Sequence, residues 1–275
     1  MINRVKKLSK LKDGTVSNLT PCAVLFILEE KMNENFDKFD EYVMKYDMNE
    51  DKIKYKYNHT YRVVHQAEEV CRSLNTDTVE RDLASLIALL HDIARFKQWT
   101  EYKTFSDSKS FDHGDEAVKI LFDEGEIKNY ICDKEDYEII KKAIANHNKK
   151  DVDYDKMTDR EKLHTKIIRD ADKVDIMYGI STGKFIKFDE EKDKGISDKV
   201  REDFLSHKLV SRADTNNNND ELLLHVSMIY DLNFDYSKER ILNEKYVEKI
   251  FNVVENKKMF KPYFDEMIKY LKGGK

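Results

Sequence analysis

Residues 83–95 read LASLIALLHDIAR. Leu83, Ile87, Leu90 and Ala94 recur at helical spacing, which predicts a buried helix over about residues 79–96. His91 follows Ala84 and Ile87 on the apolar face, and Asp92 is its neighbour. A buried imidazole or carboxylate is costly unless it is paired, hydrogen-bonded or bound to a metal ion. The end of this helix is therefore a candidate site.

The same arrangement recurs on both sides. Val63, Ala67, Val70 and Leu74 predict a helix over 57–75, with His59 one turn before Val63, after a polar connection at 49–57. Downstream, the polar and aromatic run KQWTEYKTFSDSKSFD leads to a helix starting near Asp112, a plausible N-cap with Asp115 three positions on. His113 lies in its first turn, below Ala117. Ile139, Ile140, Ala143 and Ile144 predict a helix over 135–148 that ends in His147. Leu163, Ile167, Ile168, Ala171 and Val174 predict another over 160–178, with Asp172 one turn after Ile168. Residues 1–17 read as a loose basic lead. The capping signal at Asn18–Thr20 precedes Pro21, predicting a helix to about Tyr46 with Val24, Leu25, Leu28, Phe36 and Phe39 inward. The Asn-rich run at 216–220 reads as a loop between the core and two last helices, at 220–231 and 244–272.

Composition agrees with an all-α chain. Among 275 residues there are only 8 Gly and 2 Pro, so long helices with short connections are expected. The reading divides the chain into an N-terminal lead and helix (1–50), a core (51–205) and C-terminal helices packed on it (206–275). Charged residues make up 37% with a net charge of −5, which gives no global basic field for DNA. Cys22, Cys71 and Cys132 are widely spaced and form no CxxC pair, as expected of reduced thiols. The basic N-terminus is followed only by the short apolar stretch 23–28, too short to span a bilayer. A cytoplasmic protein with no membrane partner is expected.

Four His and two Asp thus fall at inward positions of successive helices, with no Cys cluster nearby. Imidazole and carboxylate together suit Mn, Fe, Ni, Co or Zn, bound as divalent ions. The segments YNHTYRV, ALLHDIAR, FDHGDEAV, AIANHNK and IIRDADKVDIM occur in the order His59, His91-Asp92, His113, His147, Asp172. This order resembles the HD superfamily of metal-dependent phosphohydrolases over roughly residues 55–180. The fold implied is an HD-domain helical bundle with extra N- and C-terminal helices. The resemblance implies His59, His91, Asp92 and Asp172 as metal ligands. His113 and His147 match the two further histidines of the binuclear branch, which includes the HD-GYP phosphodiesterases and diadenosine tetraphosphate hydrolases; in that branch Asp92 bridges two ions. Asp170 and Asp175 are then groups that orient a ligand imidazole or Lys173.

Such a pair of ions can hold a hydroxide and clamp phosphoryl oxygens, so hydrolysis of a small-molecule phosphate ester, nucleotide-like, is the activity implied. Arg95, one turn after Asp92, is the first choice for a phosphate clamp. Lys173 and Arg62 follow, and Lys103 and Lys109 among Trp99, Tyr102, Phe105 and Phe111 suggest a lid that meets a base and a phosphate. Arg95, Lys173 and Arg62 also read as ordinary helix charges or ion pairs, and the stretch bearing Lys103 and Lys109 as an ordinary half-buried connection. Three alternatives stay open. His113 and His147 contact phosphate around a single ion; the pattern belongs to a mixed-valent di-iron oxygenase; or the chain is a non-catalytic nucleotide binder. The GYP motif itself is absent, which weighs against cyclic di-GMP.

Overall fold

The computed structural model of the chain describes residues 21–183, 191 and 194–273, with side chains from residue 32 onward. The basic lead, the capping signal at Asn18–Thr20 and the side chains of Val24, Leu25 and Leu28 lie outside that description. The described residues form helices joined by turns, and none of them is in a β-strand. The chain is all-α.

Leu83–Leu90 lie in α3, Thr78–Leu90, whose N-cap Asp77 accepts the Glu80 amide at 2.9 Å. Every residue from Leu83 to Leu90 is buried. A helix that is buried all round is an inner element, and its neighbours must supply the walls. These are α1 (Pro21–Val43), α2 (Asp51–Ser73) and α7 (Asp159–Ser181), all packed against α3. The single helix expected over 79–96 is in fact two. It stops at Leu90 and resumes as α4, Ile93–Tyr102, with Asp92 at φ −107°, ψ 17° between them. In an unbroken helix adjacent side chains diverge by about 100°. The break lets His91 and Asp92 face one centre.

Helix α2 begins six residues earlier than its apolar periodicity suggests, since the stretch read as a polar connection supplies its first turns. Ile53 and Lys56 are buried there, and a lysine counts as surface in any hydrophobic pattern. Helix α5, His113–Val118, starts where expected: Asp112 accepts the amides of Gly114 and Asp115, each at 3.0 Å. A Cβ at Gly114 would lie 2.7 Å from Asn148 Oδ1 and 3.0 Å from the Ile144 carbonyl. Glycine therefore lets α5 press against the end of α6, Tyr137–Asn146, which brings His113 to His147.

Helix α7 opens on a capping box, with Thr158 Oγ1 accepting the Glu161 amide at 3.3 Å and Glu161 Oε2 accepting the Thr158 amide at 2.7 Å. Thr158→Ala is expected to lower stability by about 1 kcal/mol in chemical denaturation; an unchanged midpoint would show that packing alone holds the start of α7. The apolar core divides within α7. Residues up to Ala171 belong to a cluster with α1 to α6, while Val174, Met177 and Ile180 join a second cluster built by the C-terminal helices.

Those helices are α8 (Asp198–Leu205), α9 (Asn218–Val226), α10 (Asp235–Asn243), α11 (Tyr246–Val253) and α12 (Lys257–Leu271). Helices α8 and α10 are additions to the expected set; both are short and mostly polar, so their periodicity is faint. The Asn run is not a loop throughout: Asn217 caps α9 by accepting the amides of Asn219 at 2.9 Å and Asp220 at 3.1 Å. The helix expected over 244–272 breaks between Val253 and Lys257, where Asn256 caps α12. Among the described residues no helix is long and apolar enough to cross a membrane.

Candidate metal centre

Five elements deliver the six singled-out ligands to one point. His59 comes from α2, His91 and Asp92 from the break after α3, His113 from the start of α5, His147 from just past α6, and Asp172 from α7. His59, His91, Asp92, His113 and His147 are all buried, and Asp172 is the most open of the six, its side chain 15% exposed.

Asp92 lies between the imidazoles. Its Oδ2 is 3.4 Å from His59 Nε2 and 3.5 Å from His91 Nε2. Its Oδ1 is 3.7 Å from His113 Nε2 and 3.8 Å from His147 Nε2. Asp172 Oδ1 stands 3.2 Å from His59 Nε2 and 3.8 Å from His91 Nε2. Two triads have ligand atoms close enough for one ion each: His59, His91 and Asp172; and His91, Asp92 and His147. His91 falls in both, and the carboxylate oxygen it faces groups it with His59.

The other nitrogen of each ring is anchored. His59 Nδ1 meets Asp175 Oδ2 at 2.7 Å, and His113 Nδ1 meets Asp107 Oδ2 at 2.6 Å. His91 Nδ1 donates to the Ala88 carbonyl at 2.7 Å and His147 Nδ1 to the Ile144 carbonyl at 2.6 Å. Carbonyls and carboxylates only accept, so each Nδ1 carries the proton and each Nε2 is turned to the centre. The Nε2 atoms of His59 and His91 are buried without a hydrogen bond, and those of His113 and His147 face each other at 3.0 Å. Buried ring nitrogens that face carboxylates, two of them with no hydrogen bond at all, fit a divalent ion with N and O ligands.

Charge supports this fit at His91 and His113. Burial lowers His91 to about 4, and burial with the Arg95 charge lowers His113 to about 3, so both rings present lone pairs near neutral pH. Burial and Lys56 push His59 down, but Asp172, Asp175 and Asp92 outweigh them and hold it at about 10. Asp92 is held well below the usual carboxylate range: burial opposes this, and Lys56 and the surrounding imidazoles prevail.

The remaining expected residues divide. Arg95 reaches the centre. Its Nε lies 3.4 Å from Asp92 Oδ1, its Nη2 donates to His113 Nε2 at 3.2 Å, and its Nη1 donates to Asp107 Oδ1 and the Phe105 carbonyl. Arg62 stands one layer out, with Nε and Nη2 on the two oxygens of Asp175 at 2.7 and 2.9 Å. Lys173 Nζ bonds Asp231 Oδ2 at 2.9 Å and the Arg169 carbonyl at 3.3 Å. Lys103 pairs with Glu50, and Lys109 sits exposed on a short turn. Asp170 points away from every ligand: it accepts the amides of Asn233 and Phe234 and so secures the start of α10.

Two groups at the centre were not singled out in the sequence. Lys56 Nζ lies 2.6 Å from Asp92 Oδ2, and Asp107 holds both His113 and Arg95. Lys56 precedes His59 by three positions and so shares its helix face. Asp107 lies in a run without periodicity and gave no signal.

Asp175 deserves a test, because it fixes the ring of His59 while Arg62 fixes it. Asp175→Asn is expected to weaken metal binding by about 10–100-fold in chelator competition. A change below twofold would show that α2 alone orients His59.

A family model of the HD domain matches residues 57–177. Comparison with curated proteins and with solved structures finds no match.

Proposed function

We propose, on the premise that residues 57–177 are an HD domain, that this chain is a metal-dependent hydrolase of a small, nucleotide-like phosphate ester. HD domains bind divalent metals and act generally as hydrolases; the ester and the number of ions are the proposal. One observation carries it: four imidazoles anchored at Nδ1 turn Nε2 toward a carboxylate whose two oxygens face two rings each. Such an arrangement supports one ion beside His59, His91 and Asp172, a second beside His113 and His147, and Asp92 between them.

When bound, the ions polarise phosphoryl oxygens and bring a water towards ionisation near neutral pH. The protein's own part is to hold and to orient. Asp175 and Asp107 keep His59 and His113 in the tautomer with a free Nε2, and the Ala88 and Ile144 carbonyls do the same for His91 and His147. Arg95 is the proposed phosphate partner, since its Nε is buried without a hydrogen bond. Arg62 and Lys173 are assigned holding roles, because their donors are engaged by Asp175 and Asp231. Lys103 is paired with Glu50 and Lys109 is exposed, so neither is assigned the phosphate.

The test is metal content together with turnover. Protein saturated with Mn, Fe, Co or Ni should hold about two ions per chain and release phosphate or nucleotide product from a phosphoester panel without consuming oxygen. His147→Ala should lose one ion and keep the other. A single ion in saturated wild-type protein would reduce the centre to a mononuclear one. Oxygen uptake without phosphoester cleavage would overturn the hydrolase reading.

A further inference from the structure

The centre carries two side-chain cations that a metal cage does not need. Lys56 Nζ sits 2.6 Å from Asp92 Oδ2, on the side of His59 and His91. Arg95 Nε sits 3.4 Å from Asp92 Oδ1, on the side of His113 and His147. Each half of the site therefore has two imidazoles, one oxygen of Asp92 and one cation. Both cations also pack on Phe105, with Lys56 Nζ 5.5 Å and the Arg95 guanidinium carbon 5.7 Å from the ring centroid. The two side chains are 10% and 13% exposed, beside Asp172 as the third slightly open group.

An oxygen-ligand site that stores calcium draws on several carboxylates, and its affinity is tuned by their charge count. Here the protein charges nearly cancel among themselves. Lys56 and Arg95 stand against Asp92 and Asp172, and Arg62 stands against Asp175, which leaves Asp107 over. The positive charge of bound ions then has to be met by the ligand. A phosphodiester brings one negative charge and a phosphomonoester brings two near neutral pH.

The donors are available. Lys56 has three N–H groups, of which one is used by Asp92, and the described residues offer its Nζ no other hydrogen-bond acceptor. Arg95 Nε is buried without a hydrogen bond. We propose that Lys56 and Arg95 take the non-bridging oxygens of a terminal phosphoryl group, one from each side of Asp92, so that the site selects dianionic phosphomonoesters over diesters. This rests on the hydrolase reading above. The reaction is then attack of water on the terminal phosphorus: the new P–O bond forms, the ester P–O bond breaks, and the proton of water ends on the departing alcohol. Inorganic phosphate is the second product.

The experiment uses manganese-loaded full-length chain and two kinds of readout. Inorganic phosphate should bind at least about tenfold tighter than dimethyl phosphate in calorimetric titration, and p-nitrophenyl phosphate should exceed bis-p-nitrophenyl phosphate in kcat/KM by about 10–100-fold. In Lys56→Met the phosphate affinity and the monoester-to-diester ratio should each fall by about tenfold or more, while Lys56→Arg restores most of both. Metal content, measured on the same samples, should be unchanged. Equal binding of the two anions, or a Lys56→Met variant that loses both substrates in parallel, overturns the proposal. A variant that loses its metal instead would show Lys56 to be a structural partner of Asp92, which also overturns it. If wild-type protein binds phosphate selectively yet cleaves no ester, the hydrolase reading fails and the ligand class stands.

Discussion

Asp92→Ala is expected to empty the centre: bound metal should fall from about two ions per chain to a trace, and phosphoester turnover by about a thousandfold or more. Among the described residues no other side chain faces all four imidazoles, with Oδ2 toward His59 and His91 and Oδ1 toward His113 and His147. Removing it leaves the two halves with no shared anion. It also strands Lys56, whose buried ammonium is bonded to Asp92 alone among the described residues. An unpaired buried charge is costly, so part of the loss could come from unfolding. Asp92→Asn separates the two effects, because it keeps the volume and an oxygen near Lys56 while removing the charge. Metal analysis, turnover and thermal melting on both variants check this. If Asp92→Asn melts like the wild type and still binds two ions with undiminished turnover, Asp92 is not the shared ligand.

How much of this was legible in the sequence follows from how each group announces itself. The four histidines lie at the ends of apolar helical runs and Asp172 within one, so periodicity placed them inward, whereas Asp92 was reached only as the neighbour of His91. The break between Leu90 and Ile93 left no trace, because LASLIALLHDIAR keeps its apolar spacing straight through it. Lys56 was hidden by its type. A lysine on an amphipathic helix reads as surface, and only the structure shows its stem buried and its ammonium on Asp92. Lys173 and Arg62 looked equally close to the site along the chain, yet each is committed to a carboxylate that only the fold brings near: Asp231 lies beyond two further helices, and Asp175 lies on another helix from Arg62. Asp170 illustrates the limit within one motif. It is two residues from Asp172, but about 200° of helix rotation turns it to the far side, where Asn233 and Phe234 meet it.

The second large effect is expected at Arg169, which touches no ligand side chain. It is 1% exposed, and its Nη1 donates to the carbonyls of Asn146 at 2.5 Å, His147 at 3.3 Å and Lys149 at 2.7 Å. Its Nη2 donates to Asp231 Oδ2 at 2.5 Å. The last carbonyls of a helix have no partner within it, and here one guanidinium closes the end of α6, where His147 leaves the helix toward the centre. Arg169→Met fills the volume but takes the guanidinium from three carbonyls and leaves Asp231 Oδ2 to Lys173. A loss of about 3–5 kcal/mol is expected, which in a chain of this size lowers the melting temperature by roughly 10 °C. The loss should not be uniform. His147 is positioned by these bonds while His59 and Asp172 are not, so the ion beside His113 and His147 should dissociate at chelator concentrations that leave the other bound. Arg169→Lys keeps the charge without the fork and should recover stability only in part. If both ions leave together, or if the melt of Arg169→Met stays within about 2 °C of wild type, the end of α6 is held by packing and not by this arginine.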